Sequence, residues 1–261
     1  GKVFVAAVDR HCVMALDQPD GRVAWTFQAG GRVDSPPTLY DGCAYFGSAD
    51  GYVYCVNASD GQLVWRFRVA PNNRQLCAYG QLESVWPVHG SVLIKDGKVF
   101  CVGGRSSFLD GGLPFVRLDA RNGELEAESM LDDWDAAAGK SMQLLSAHSI
   151  MPSANPDILA CNENGIFMRV QRLSEDGRRL GSIQYDEATQ YDESHIFSWA
   201  GFLEDSWMHR LYMSYGNGKL PLGTYLNWWE YGQKNPERRL LVTDDERVFS
   251  YGLKPRYHAW S

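Results

Sequence analysis

The chain has 261 residues, 44% of them apolar and 13% aromatic, with a formal net charge of −7. So many apolar side chains can build a sizeable core, and an acidic balance with scattered Lys and Arg argues against a nucleic-acid surface. No stretch is long and apolar enough to span a bilayer as a helix, and the six cysteines include no CxxC, no adjacent pair and no CxxCH haem-attachment motif.

From the N-terminus, Val13 to Phe27 ends in Asp20-Gly21-Arg-Val-Ala-Trp25-Thr-Phe27, and Tyr54 to Phe67 repeats it as Asp60-Gly61-Gln-Leu-Val-Trp65-Arg-Phe67. The two tryptophans lie 40 residues apart, and a period near 40 made of short alternating strands is the signature of a β-propeller blade. Val53, Cys55, Leu63, Trp65 and Phe67 keep period two on one face, with Tyr52, Tyr54, Arg66 and Arg68 on the other. Asp20-Gly21, Asp60-Gly61 and Asn122-Gly123 supply the positive φ of a tight hairpin. One blade is therefore expected as Ser35–Tyr40, Cys43–Ser48, Tyr52–Asn57 and Gln62–Val69, with proline tolerated in the innermost edge strand. Trp65 reads as a residue that packs one blade on the next.

A third copy runs through Lys98–Gly103 and Phe115–Leu125, displaced by an insertion from Pro71 to His89. A fourth spans Asp157–Cys161, Ile166–Val170 and Asp176–Leu180, a fifth centres on His209–Ser214 and Tyr225–Trp229, and a sixth on Leu240–Asp245 and Arg247–Tyr251. Asp132 to Leu145 is the one stretch expected to form a short helix. The fold class is all-β, a propeller of four-stranded antiparallel blades with about six visible. It forms one domain over 1–261, with blades near 1–34 (incomplete), 35–70, 88–131, 143–190, 195–235 and 238–261 (incomplete). The incomplete outer blades are expected to make it part of a larger propeller, the remainder of which is then a partner. Most cysteines occupy strand positions and read as buried thiols, although Cys43 and Cys55 flank one hairpin at nearly opposed positions where a disulfide is conceivable. Asn57-Ala-Ser59 is a glycosylation sequon inside the repeat's own turn.

These residues carry a resemblance. The pattern Ala-Leu-Asp-x-x-x-Gly-x-x-x-Trp of the first blade, with its weaker copies, resembles the repeat of pyrroloquinoline-quinone-type (PQQ-like) propellers, a class that includes quinoprotein dehydrogenases and the outer-membrane assembly lipoprotein of the β-barrel machinery. Ala78–Gly90, Gly104–Gly112 and Phe202–Arg210 resemble segments of bacterial PQQ-like repeat proteins. The resemblance implies a bacterial, periplasmic or extracellular protein, and specifies fold far more than function. Quinoprotein dehydrogenases resemble one another in a vicinal cysteine pair, a carboxylate-bound metal and a tryptophan floor. With no vicinal pair here, no PQQ or other cofactor is expected.

The repeat breaks at Pro71–Gly90 and Gly103–Gly112, where Glu83, Trp86, His89, Arg105, Ser106, Ser107 and Asp110 concentrate; Trp207, His209 and Arg210, with His148 and His195, stand at comparable blade edges. Brought to one mouth, they would line a polar, aromatic pocket for a small polar ligand, with Glu83 and His89 as acid and base. The competing reading has His89 and Arg105 satisfying buried loop carbonyls and carboxylates and so pinning the insertion. Asp132-Asp133-Trp134-Asp135 and Asp244-Asp245-Glu246 lack calcium-loop spacing, so no metal site is expected. The leading function is a non-catalytic binding or scaffold propeller presenting a protein- or glycan-binding face, to which Trp228, Trp229 and Tyr231 can contribute. The alternative is an enzyme on a polysaccharide or small polar substrate. A PQQ-dependent oxidoreductase comes third.

Overall fold

The computed structural model describes residues 1–89, 91–136, 139–141, 155–162, 165–168, 171–180, 195–198, 213–216, 238–243 and 248–252. They form an antiparallel meander of short sheets in which the only helical element is one 3-10 turn at Val8–Arg10. Blade one consists of β1 (Lys2–Ala7), β2 (Cys12–Asp17) and β3 (Val23–Gln28). Blade two adds β4 (Thr38–Tyr40), β5 (Cys43–Gly47), β6 (Tyr52–Asn57) and β7 (Leu63–Arg68), paired in that order. Between it and blade three the insertion folds as its own hairpin, β8 (Gln75–Ala78) on β9 (Gln81–Ser84). Blade three is β10 (Leu93–Lys95), β11 (Lys98–Val102), β12 (Leu113–Asp119) and β13 (Leu125–Leu131).

Downstream, β14 (Trp134–Asp135) pairs with β15 (Lys140–Ser141), and β16 (Leu159–Asn162), β17 (Gly165–Met168) and β18 (Gln171–Leu173) form a three-stranded sheet. β19 (His195–Ser198) pairs with β20 (Met213–Gly216), and β21 (Arg238–Thr243) with β22 (Val248–Gly252). These antiparallel sheets make the fold an all-β propeller.

The repeat is reproduced down to individual hydrogen bonds. The register between the last two strands slips by one residue at Ala15/Leu16, Cys55/Val56 and Arg117/Leu118, a β-bulge that strengthens the local twist. Gly21, Gly61 and Gly123 adopt φ of 69°, 75° and 71°, and each donates its N–H to the carbonyl four residues before it, at Asp17, Asn57 and Asp119. Asp20, Asp60 and Asn122 each accept the N–H two residues on through a side-chain oxygen.

Three apolar slabs between neighbouring sheets form the core. Blades one and two enclose Val13, Ala15, Trp25, Phe46, Tyr54 and Val56. Blades two and three enclose Val53, Cys55, Trp65, Val99, Val116 and Leu118. The third slab joins Phe100, Leu113 and Phe115 to Ile166, Met168 and Leu173. Trp65 donates its indole N–H to the Ala120 carbonyl at 3.0 Å, and its ring lies where a Cβ on Gly123 would come within 2.7 Å. Trp25 does the same one blade earlier, with Ala58 O at 3.1 Å and Gly61 beneath its ring. The tryptophans therefore fasten blade one onto the turn of blade two and blade two onto the turn of blade three; blade three has Ala127 at the equivalent position.

Three expectations need correction. Tyr54, expected on the outward face, is buried like Val53 and Cys55, because a blade is covered on both faces by its neighbours and strict alternation loses its meaning. Leu63 is 48% exposed rather than inward, since the bulge moves it past the slab. Where a helix was expected from Asp132, the described residues form the β14–β15 hairpin: Asp132 Oδ1 accepts the Trp134 N–H in a turn, Gly139 takes φ 62°, and Arg179 donates to the Asp132 and Trp134 carbonyls. In the fifth repeat, β20 overlaps the expected His209–Ser214 strand and pairs with β19; Tyr225–Trp229 lies outside the described residues. The six cysteines are free thiols. Cys43 lies opposite Asn57 and Cys55 opposite Tyr45, so the two are diagonal neighbours; burial pushes the Cys55 and Cys101 thiols up to about 12.

Candidate functional site

In an antiparallel meander, alternate connections fall at opposite ends. The tight turns at Asp41-Gly42, Gly61, Asp96-Gly97 and Gly123 lie at one end of the blades. The other end carries the β3–β4 connection, the Asp50-Gly51 hairpin, the insertion and the turn at 103–112. Three close backbone approaches hold these loops together. Ala49 N donates to Arg32 O, Val88 N to Ser48 O, and Gly104 N to Pro87 O, at 2.8, 3.0 and 2.8 Å. A Cβ on Gly31 would stand 2.6 Å from Asp50 N, and one on Gly47 2.5 Å from Val88; only glycine permits that contact.

On this platform five side chains form one continuous chain of alternating charge. Glu83, whose side chain is fully buried, sets Oε2 2.7 Å from Arg105 Nη2 and Oε1 3.2 Å from Arg32 Nη2. Arg105 also donates to the Ser84 carbonyl at 3.3 Å. Arg32 Nε lies 2.9 Å from Asp34 Oδ1, and Asp34 Oδ2 lies 2.6 Å from His89 Nδ1. An ionised carboxylate only accepts, so the Nδ1 proton points at Asp34. Burial acts to raise the Asp34 carboxyl, but the His89 hydrogen bond and the charges of His89, Arg32 and Arg105 together outweigh it and hold it below its ordinary 3.8. The Arg32 guanidinium sits 4.5 Å from the centre of the Tyr79 ring.

Beside this chain, Arg74 pairs with Asp110 and stacks 5.1 Å from the Trp86 ring centre. Trp86 is buried with Val85, Ala70 and Leu76, and its indole N–H has no hydrogen-bond partner. Ser106 Oγ accepts the Phe108 N–H inside its turn, while Ser107 is buried with an unpaired hydroxyl.

Of the expected site residues, then, Glu83, His89 and Arg105 are brought together, and Trp86 and Asp110 meet through Arg74. Trp207, His209, Arg210 and His148 lie outside the described residues. Arg32 and Asp34, which link Glu83 to His89, were not singled out from the sequence, nor were Arg74 and Tyr79. The signal was the charge pair in Gly30-Gly31-Arg32-Val33-Asp34, for which the second copy of the repeat has no counterpart.

Fold and repeat define a propeller of the PQQ-like class. A family model described as outer membrane protein assembly factor BamB matches residues 1–190, and the chain belongs to that family. It is 29% identical over 136 residues to the dehydrogenase subunit of a quinone alcohol dehydrogenase of Gluconobacter oxydans, the match covering 48% of this chain and 17% of that protein. It is 28% identical over 127 residues to outer membrane protein assembly factor BamB of Vibrio cholerae, covering 47% and 30%. The matches thus span less than a third of either relative. The crystal structure of BamB from Moraxella catarrhalis aligns over 70% of this chain and 61% of its own, at 15% identity and a TM-score of 0.33.

The described residues bring together no vicinal cysteine pair and no carboxylate cluster of the kind that the resemblance implies for a pyrroloquinoline quinone held with its cation. No two cysteines are adjacent. Cys12, Cys55 and Cys101 are buried in three different blades, and Cys77 and Cys161 are exposed on separate hairpins. Among the described residues no group of three or more His, Cys, Asp or Glu side chains is placed to hold a metal ion.

Proposed function

We propose that this chain is a non-catalytic propeller scaffold that binds protein partners in outer-membrane protein assembly, on the periplasmic side. The observation that carries the reading is the ionic chain: the acid–base candidates Glu83 and His89 are engaged by Arg32, Arg105 and Asp34, with Glu83 sealed from solvent. A buried carboxylate with two cationic partners fixes loops in place; a general acid needs a reachable, exchangeable proton. Membership of the BamB family supports a role in assembly, and no described helix is long and apolar enough to cross a membrane. The scaffold needs no cofactor. No observation supports glycan binding over protein binding.

Titrating the purified protein against the purified periplasmic portion of the host's outer-membrane assembly machinery tests this by calorimetry. Saturable micromolar binding is the expected result, with no oxidation of primary alcohols in the presence of added pyrroloquinoline quinone and calcium. Alcohol turnover that disappears in Glu83→Gln, without any binding to the machinery, would overturn it.

A further inference from the structure

We propose that the outer edge of blade two, strand β7, docks an acidic, extended segment of a protein partner through Arg66 and Arg68; this rests on the protein-binding scaffold reading and names the chemistry of one partner segment. The repeat supplies its own internal control. Because the register is the same in three blades, with Ala15 opposite Trp25, Cys55 opposite Trp65 and Arg117 opposite Ala127, Arg66 is equivalent to Thr26 and Glu128, and Arg68 to Gln28 and Met130. Blades one and three form this edge with no cation at either position, so the fold does not require the arginines.

Both are exposed, both stand on the same side of the strand, and alternate residues of a strand lie about 7 Å apart. Neither is within ion-pair distance of a carboxylate among the described residues, whereas Arg22, Arg32, Arg74, Arg105 and Arg117 all are. In a chain of net charge −7, the run from Gly61 to Leu82 contains Arg66, Arg68 and Arg74 and no Asp or Glu. The Arg66 guanidinium rests 5.0 Å from the centre of the Tyr52 ring, which orders it for recognition.

Charged residues on an edge strand also serve to block unwanted strand pairing. That explanation fails for a shared requirement, because the equivalent edge β3 presents Ala24, Thr26 and Gln28 and no charge. β7 is the terminal strand of its sheet, and no described strand pairs with its far edge. The exposed Leu63 and Val64, each 48% accessible, continue the same edge. The complementary ligand is therefore a strand with carboxylates at alternate positions, adding to β7 by main-chain hydrogen bonds.

The probe is a fluorescein-labelled decapeptide alternating Glu and Val, followed by fluorescence anisotropy, with a Lys/Val peptide as its control. The wild-type protein is expected to bind the acidic peptide saturably. Binding should weaken roughly ten-fold in Arg66→Glu/Arg68→Glu and on raising salt to 0.5 M, and be unchanged in Thr26→Glu. Arg66→Gln/Arg68→Gln, with its melting temperature recorded, guards against a folding defect. Equal binding of the lysine peptide, binding to anionic phospholipid vesicles in place of the peptide, or loss of a wild-type self-association in the double variant would each overturn the assignment. If the assembly machinery binds the double variant as well as wild type, this edge is not its dock and the scaffold reading survives. If the machinery binds neither, the scaffold reading fails on its own measurement.

Discussion

The two ends of the blades are held by opposite chemistry. At the turn end, Trp25 and Trp65 lie on Gly61 and Gly123 and donate to Ala58 and Ala120. That device is apolar, local and repeated. At the loop end, Arg32, Asp34, Glu83, His89 and Arg105 link three separate connections through ion pairs that occur once. A repeated contact follows from the periodicity of the chain and says what joins one blade of the repeat to the next. A contact made once says what this molecule needs in addition, and here that is the anchoring of a long insertion.

The largest effect should come from breaking the repeated device. Trp65→Ala removes a buried indole and leaves the Ala120 carbonyl with Tyr45 alone, and should destabilise by about 3–5 kcal/mol in urea unfolding. At the other end, Glu83→Ala leaves the half-buried Arg105 without its carboxylate and Arg32 with Asp34 alone, and should destabilise by about 3 kcal/mol. The double variant Glu83→Ala/Arg105→Ala should recover part of that loss, and strict additivity would mean that the two do not act as a pair.

A smaller contrast isolates the glycine turns. Gly61→Ala places a methyl group against the Trp25 ring as well as at positive φ and should destabilise by about 2 kcal/mol or more, whereas Gly21→Ala has open space and should show the backbone penalty alone, about 1 kcal/mol. Equal values for the two would remove the steric part of the argument. The smallest effect is acid sensitivity at the ionic end. The folded Asp34 carboxyl is held below its ordinary 3.8, so its contribution is complete above about pH 4 and is lost as pH falls through the folded value. Asp34→Asn should therefore flatten the acid limb of a melting-temperature profile below pH 4.

Most of the first three blades was legible in the sequence because each depends on local signals: a glycine at positive φ, alternation around it and, in blades one and two, a tryptophan four residues on. Blade two was delimited strand by strand for this reason. Burial on the second face escaped, since Tyr54 is covered by the neighbouring blade and nothing local distinguishes it from a solvent-facing residue. The candidate site was half legible. Glu83, His89 and Arg105 stood out as departures from the repeat, but Arg32 and Asp34 are joined to them across some fifty residues of chain, and no spacing rule reports such a pairing. The Asp132 helix failed through tertiary capture: Arg179 binds the carbonyls that a helix would have used internally.

The ionic chain also bears on the order in which the molecule assembles. Blades one and two can lock through Trp25 as soon as the Asp60-Gly61 turn has left the ribosome, since the Ala58 carbonyl and Gly61 that the indole meets are then both in place. The strap made by Arg32, Asp34, Glu83 and His89 cannot close until the insertion is complete, and Glu83 stays half-neutralised until Arg105 arrives. During that interval a buried-to-be carboxylate keeps its water, and Arg105 closes the strap before the last two strands of blade three, β12 and β13, have been made.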